Sequence, residues 1–473
     1  MFRVLSGTSP EPISFSRREL LRVGLLGGLA GQLSPTIQAA SPSSGLPGFG
    51  KAKSVIVVYT NGGMSQIDSW DPKPDAPANV RGEFLPISTS VAGTSLTEHL
   101  PRLARMADRY AIVRSVSHDD LDHGTATYYA LTGRRHALKS ANPPPDPNDF
   151  PTHGSVLSRS RPTPNFPYSA VHVNGPAFVP LFAGPGQNGG FLGRDFDPLL
   201  LGDVESKPAG LEGLTRQEQL PSLRISARQS LLSSIDGLRT ELDQQPKFGD
   251  LDSLYGQAYR MLDTPRCREA FDLTLESDSI RERYGRNRAG QACLLARRLV
   301  EADVPWITVF FNHNARGQDL DTAATDLYGW DTHNDIFTAM KDHLMPRFDL
   351  GFSALLEDLE QRGLLETTLV VCMGEFGRAP RVALEKSFSG ESPGRKHWAG
   401  VYSVVLAGAG VRPGLVYGSS DRMGAYPQSQ MTCPEDLTAT MFSALGIDPA
   451  RHFTDHLDRP FPISLGTPLQ GLY

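Results

Sequence analysis

Lys53-Ser54-Val55-Ile56-Val57-Val58-Tyr59-Thr60 runs directly into Asn61-Gly62-Gly63-Met64-Ser65-Gln66-Ile67-Asp68-Ser69-Trp70-Asp71. The first half is a continuous β-branched run, the signature of a strand buried on both faces of a parallel sheet. The second half is a turn rich in glycine and polar groups. The same grammar repeats along the chain. Further apolar runs lie at Ala111–Val116, Tyr168–Val173, Trp306–Phe311 and Thr367–Met373, and a sixth at Tyr402–Ala407. Helical patterns separate them at Leu96–Met106, Ser222–Leu242, Ile280–Ala302 and Ile336–Arg362, whereas Asn142–Thr163 reads as Pro-rich loop. Strands alternating with helices predict an α/β domain, with a mostly parallel central sheet and helices on both faces.

Ligands of such sheets bind outside the carboxyl ends of the strands. Here those ends carry Asn61 to Asp71, then Asn312-His313 with Trp330-Asp331-Thr332-His333 beyond, then Gly374-Glu375-Phe376-Gly377-Arg378. Metal-ligating residue types therefore gather on one edge.

The chain has 473 residues, with 46 Lys+Arg against 52 Asp+Glu and a formal charge of −6. That balance excludes a strongly basic nucleic-acid binder. No apolar run approaches the roughly 18–20 residues of a spanning helix, so no transmembrane span is expected. Four cysteines without any CxxC make neither a disulfide scaffold nor a zinc knuckle.

Ser16-Arg17-Arg18-Glu19-Leu20-Leu21-Arg22 precedes a short, glycine-laced apolar stretch from Val23 to Leu33. Paired arginines before a weak apolar region read as a twin-arginine export signal over residues 1–40. Residues 41–51 read as a Ser/Pro/Gly linker, and 52–473 as the folded domain. A polar helical insertion is expected around residues 180–265. Export places the protein in the periplasm or cell envelope, with the twin-arginine translocase as a partner in transit.

The candidate chemistry follows from residue type and spacing. Asp331 and His333, at i and i+2 in extended chain, project to the same side and can share one cation. Glu375 ends a buried strand, where a carboxylate needs a metal or an arginine, and Arg378 is the near arginine. His397 sits in Gly394-Arg395-Lys396-His397-Trp398, where a guanidinium can grip phosphate or sulfate oxygens. His118 and His123 flank Asp119-Asp120-Leu121-Asp122 and are candidate ligands, nucleophile or base. His123 stands where a helix begins, and free amides there can hold an anion.

Taken together, NGGMSQIDSWDPKPDAP, YYALTGR, GFLGRDFDP, RERYGRNRAGQACLLARRLVEADV, GWDTH, MGEFGRAP, GRKHW and VLAGAGVRPGLVYG resemble a large family of exported bacterial proteins described as sulfatase-like. The resemblance implies the three-layer fold of the alkaline phosphatase superfamily. It implies that Asn61 stands where a metal-ligating Asp does, and that His123 takes the nucleophile position. It leaves ligands for one divalent cation (zinc, manganese or iron) on Asp331, His333, Glu375 and His397, with Arg378 and Arg395 binding the anion. The implied function is an exported hydrolase of phosphate or sulfate esters, acting on a small-molecule or glycan ester. The missing second-site ligands leave room for a non-catalytic envelope protein that binds a glycan, an anion or an exported partner.

Overall fold

The computed structural model describes residues 45–205 and 265–473, together with a two-residue ladder pairing Arg3–Val4 with Ile13–Ser14. The rest of the export segment, the helix predicted over Ser222–Leu242 and most of the expected insertion lie outside the described residues. The chain divides into residues 1–44 and 45–473, and the second unit holds every element below.

Eight strands form the central sheet: β1 (Ser54–Tyr59), β2 (Ala111–Val116), β3 (Ala170–Val173), β4 (Leu199–Leu201), β5 (Trp306–Phe310), β6 (Thr368–Met373), β7 (Tyr402–Ala407) and β8 (Val416–Tyr417). Their spatial order is β8-β2-β7-β6-β1-β5-β3-β4. All neighbours are parallel except β7, which runs antiparallel to both β6 and β2. The fold is α/β with a mixed, mostly parallel sheet. Because β7 is reversed, its amino end meets the carboxyl ends of the other strands.

Successive residues of β1 serve two cores, as the two-residue period of a strand requires. Ile56 and Val58 pack in one cluster with Leu294, Leu295, Phe352 and Leu355 of helices α3 (Arg288–Glu301) and α4 (Met345–Gln361). Val55, Val57 and Tyr59 pack in the other with α1 (His123–Thr132), α2 (His153–Ser160) and α5 (Pro434–Ala444). Helices on both faces thus explain why the strands are apolar throughout. Among the described residues, no helix is long and apolar enough to cross a membrane.

Local chemistry revises several predicted elements. The pattern over Ile280–Ala302 is two helices, Asp278–Tyr284 and α3, broken at Gly285, whose φ of +93° suits glycine. Asn287 then restarts the chain as an N-cap, its side chain accepting from the Gly290 amide. The stretch Leu96–Met106 divides into strand Ser95–Thr97 and the short helix Pro101–Arg105. The Pro-rich loop contains α2, and residues 199–201 add an edge strand where glycine loops are expected.

His153 of α2 and His172 of β3 are both fully buried on the α1/α2/α5 side, and His153 Nε2 lies 2.9 Å from Thr438 Oγ1. Burial lowers each pKa to about 3, with the neighbouring His172 adding to the effect at His153. Unfolded histidine titrates near 6.5. Between pH 6.5 and 3 the unfolded chain therefore binds more protons, so stability is whole above pH 6.5 and falls on acidification. The expected slope is up to about 1.4 kcal/mol per pH unit for each histidine. Urea midpoints measured from pH 7 to pH 4.5 test this, and a His153→Asn/His172→Asn variant will show a flatter profile.

Candidate metal centre

Asp331 lies in the loop after β5 and is 3% exposed. Three imidazoles and one guanidinium surround its carboxylate. His333 Nε2 stands 3.1 Å and His397 Nε2 3.2 Å from Oδ1, and His123 Nε2 stands 3.4 Å from Oδ2. Arg378 Nη2 donates to Oδ1 at 2.6 Å. Burial alone would raise the Asp331 pKa, but Arg378 and then His123 hold it well below the ordinary carboxylate range. His333 Nε2 is also 2.9 Å from His397 Nε2.

Each histidine is delivered by a different part of the strand-end edge. His123 opens α1, with Asp122 as its N-cap. His397 belongs to the two-residue ladder that pairs Arg378 with His397 and Gly377 with Trp398, leading into β7. His333 is held flat against Phe388, ring centroids 3.7 Å apart and planes 4° apart. The tautomers follow from the partners. His397 Nδ1 faces the Leu121 carbonyl at 2.6 Å, which can only accept, so Nε2 keeps its lone pair. His123 Nδ1 faces Glu375 Oε1 at 2.6 Å, and its Nε2 has no hydrogen-bond partner.

Burial disfavours a proton on His123, yet Asp331 and Glu375 outweigh it and raise the pKa to about 9. Burial lowers His333, and burial with repulsion from His123 lowers His397 to about 4. Among the described residues, His123, Asp331 and His397 each offer a ligand atom within 4.8 Å of the others.

Glu375 stands differently from its expected ligand role. It is fully buried, and both oxygens are engaged by protein donors: Oε1 by the Gly62 amide (2.8 Å) and His123, Oε2 by the Tyr59 hydroxyl (3.1 Å). These bonds fix the ring of His123. Gly62 is required for this approach, since a Cβ there would lie 2.6 Å from the Ala315 carbonyl oxygen and its φ is +111°.

The two expected anion-binding arginines are consumed by the fold. Arg378 spends its remaining donors on the carbonyls of Gly62, Gly63 and Arg395. Arg395 holds Asp68 through Nε (2.6 Å) and Nη2 (3.0 Å), and also reaches the Val80 and Pro380 carbonyls. Both are 0% exposed. The α1 amides are equally occupied: Gly124 donates to Asn142 Oδ1 and Thr125 to the Ala141 carbonyl. Asn61 donates through Nδ2 to the Phe178 and His313 carbonyls, each at 3.0 Å, and so ties loops together. His118 bonds the Glu375 carbonyl through Nε2 and accepts from the Asp120 amide, away from Asp331. Tyr59, Thr127 and Phe388 escape the sequence reading. A hydroxyl ending an otherwise aliphatic strand, and a Thr four residues after His123, are the signals available for the first two.

A family model described as "Protein of unknown function (DUF1501)" matches residues 52–472. The chain belongs to that family. No curated protein matches this DUF1501 chain. Among solved structures it is similar to the PsFucS1 sulfatase from Pseudoalteromonas sp. (13% identity, TM-score 0.36, covering 92% of this chain and 73% of that one). It is also similar to the phosphonate monoester hydrolase SpPMH from Silicibacter pomeroyi (12%, 0.37, 89% and 76%). A third is the alkaline phosphatase from the Antarctic bacterium TAB5 (11%, 0.31, 76% and 92%).

If Arg395 is structural, Arg395→Ala leaves Asp68 charged and unpaired in the interior, which costs about 3–5 kcal/mol. Chemical denaturation measures this directly, and a variant as stable as the natural chain would return Arg395 to the list of substrate groups.

Proposed function

We propose that this DUF1501 protein is an exported, metal-dependent hydrolase of phosphate or sulfate esters, with one divalent cation on His123, Asp331 and His397. The observation that carries the reading is the convergence of three imidazole Nε2 atoms on one buried, ionised carboxylate. Two neutral imidazoles and a carboxylate suit zinc, manganese or iron. The unpartnered Nε2 of His123 is the gap such a cation fills. When bound, the cation supplies a Lewis acid for the ester oxygen.

The chain's own groups do the rest. Glu375 and the Leu121 carbonyl fix the rings of His123 and His397 by taking their Nδ1 protons in hydrogen bonds. Such outer partners set ligand orientation and basicity. His123, with both nitrogens committed, serves as a ligand and not as the nucleophile. His333 borders the same space with a lowered pKa, so it is neutral near pH 7, and its Nε2, 3.1 Å from Asp331 Oδ1, donates to that carboxylate and holds its orientation. The substrate is a small-molecule or glycan ester. Export through the twin-arginine translocase to the periplasm or envelope is supported by Arg17-Arg18 and the weak apolar stretch behind them. The domain plan supporting it is a signal over residues 1–40, a linker over 41–51, and one folded domain carrying an insertion around 180–265.

One observation favours a second reading, a non-catalytic protein that binds a glycan, an anion or an exported partner. Arg378, Arg395 and the first α1 amides are engaged within the protein, which removes the expected clamp for an ester anion and favours a glycan or an exported partner over a free anion.

Elemental analysis of the chain purified from its native compartment separates these readings. About one transition metal per chain is expected, lost in Asp331→Asn and in His397→Ala. His333→Ala should keep the metal and lower kcat on aryl phosphate or sulfate esters by about 10–100-fold. Loss of metal from His333→Ala would mean a closed four-ligand site and favour the binding protein. A natural chain without metal would remove the hydrolase reading.

A further inference from the structure

His123 and Thr127 are four residues apart on α1, hence on one face of the helix, one turn apart. Tyr59 ends β1 and pairs in register with Met373, which ends β6, and Glu375 follows two residues later. These four side chains close a ring. Thr127 Oγ1 lies 2.8 Å from the Tyr59 hydroxyl, the hydroxyl lies 3.1 Å from Glu375 Oε2, and Glu375 Oε1 lies 2.6 Å from His123 Nδ1. One helical turn joins His123 back to Thr127. Every member is at most 3% exposed, so water does not compete for any of these bonds.

The donor directions are fixed by chemistry. An ionised carboxylate only accepts, so Tyr59 donates to Glu375 and its oxygen accepts from Thr127. Glu375 is thereby filled by three donors: Tyr59, His123 and the Gly62 amide. The phenol cannot swing away, because its ring is packed edge-on against Phe310 with centroids 5.8 Å apart.

We infer that Tyr59 and Thr127 are positioning residues for His123, acting through Glu375 to hold the proton on Nδ1 and to aim Nε2 at the metal position beside Asp331. The inference rests on the metal reading and adds to it the groups that set metal affinity. Tyr59 delivers the one donor to Glu375 Oε2, so losing its hydroxyl frees that oxygen to turn and releases the ring of His123. Thr127 orients the Tyr59 hydroxyl, so its effect should pass entirely through Tyr59.

Cobalt(II) binding to the metal-stripped full chain tests this, read as Kd by titration and as the visible spectrum of the bound ion. Glu375→Gln should raise Kd by about 10–100-fold and Tyr59→Phe by about 10-fold, each with a shifted spectrum. Thr127→Val should weaken binding in the natural background and change nothing further when added to Tyr59→Phe. Tyr110→Phe removes an equally buried hydroxyl, bonded to the Leu103 carbonyl, and should leave both readouts unchanged. Unaltered Kd and spectrum in Tyr59→Phe, alongside lost binding in Asp331→Asn, would overturn the positioning role while keeping the metal site. No cobalt on the natural chain would instead sink the metal reading, and this inference with it. If Glu375→Gln does not fold, the Tyr59→Phe and Thr127→Val pair still decides.

Discussion

A carboxylate that is 3% exposed must be compensated, and the compensation of Asp331 organises the whole carboxyl edge of the sheet. Arg378 supplies the opposite charge at 2.6 Å. The same guanidinium also binds the carbonyls of Gly62 and Gly63 after β1 and of Arg395 before β7. One ion pair therefore fixes the loops that follow β1, β5 and β6 and the loop that precedes β7. Those are the loops that carry or support His123, His333 and His397. The pair is intolerant of one-sided change, since a lone buried charge costs several kcal/mol.

The sequence exposed the layers of this fold because burial on both faces leaves an unbroken apolar run. β1, β2, β5 and β6 fall where those runs fall. An apolar run encodes burial and not direction, so the reversal of β7 is not visible in Tyr402–Ala407. β4 and β8 have only three and two residues and no period to read. The helix break at Gly285 depends on a positive φ, and a glycine inside a helical pattern does not announce that.

At the site, the sequence identified the edge and the residue types, and the structure places His333 Nε2 3.1 Å from the Asp331 carboxylate. The assignments of Glu375 and the arginines changed because a side chain's role depends on where its hydrogen bonds are already spent. Loops built on Gly62, Gly63, Gly374 and Gly377 leave backbone carbonyls without secondary-structure partners. Buried carbonyls demand donors. Arg378 and Arg395 meet that demand by donating to carbonyls of Gly62, Gly63, Arg395, Val80 and Pro380. His123 entered the cluster for the complementary reason: its Nδ1 was taken by Glu375, leaving Nε2 free to face Asp331.

This division of labour has an electrostatic consequence for any anionic ligand. With His123 protonated and His333 and His397 neutral, Asp331, Arg378 and Glu375 leave the metal-free centre with no net charge, and Arg316 adds a guanidinium at its edge, bonded to the Asp331 carbonyl at 2.6 Å. A divalent cation that displaces the His123 proton leaves the centre with one net positive charge, which attracts an anion strongly in a low-dielectric pocket. Ester binding, and not turnover alone, would then depend on the metal. Sites that grip phosphate or sulfate with arginine behave differently, because they retain anion affinity when stripped. The arginines that might have provided that affinity here were spent on folding the loops that hold the ligands.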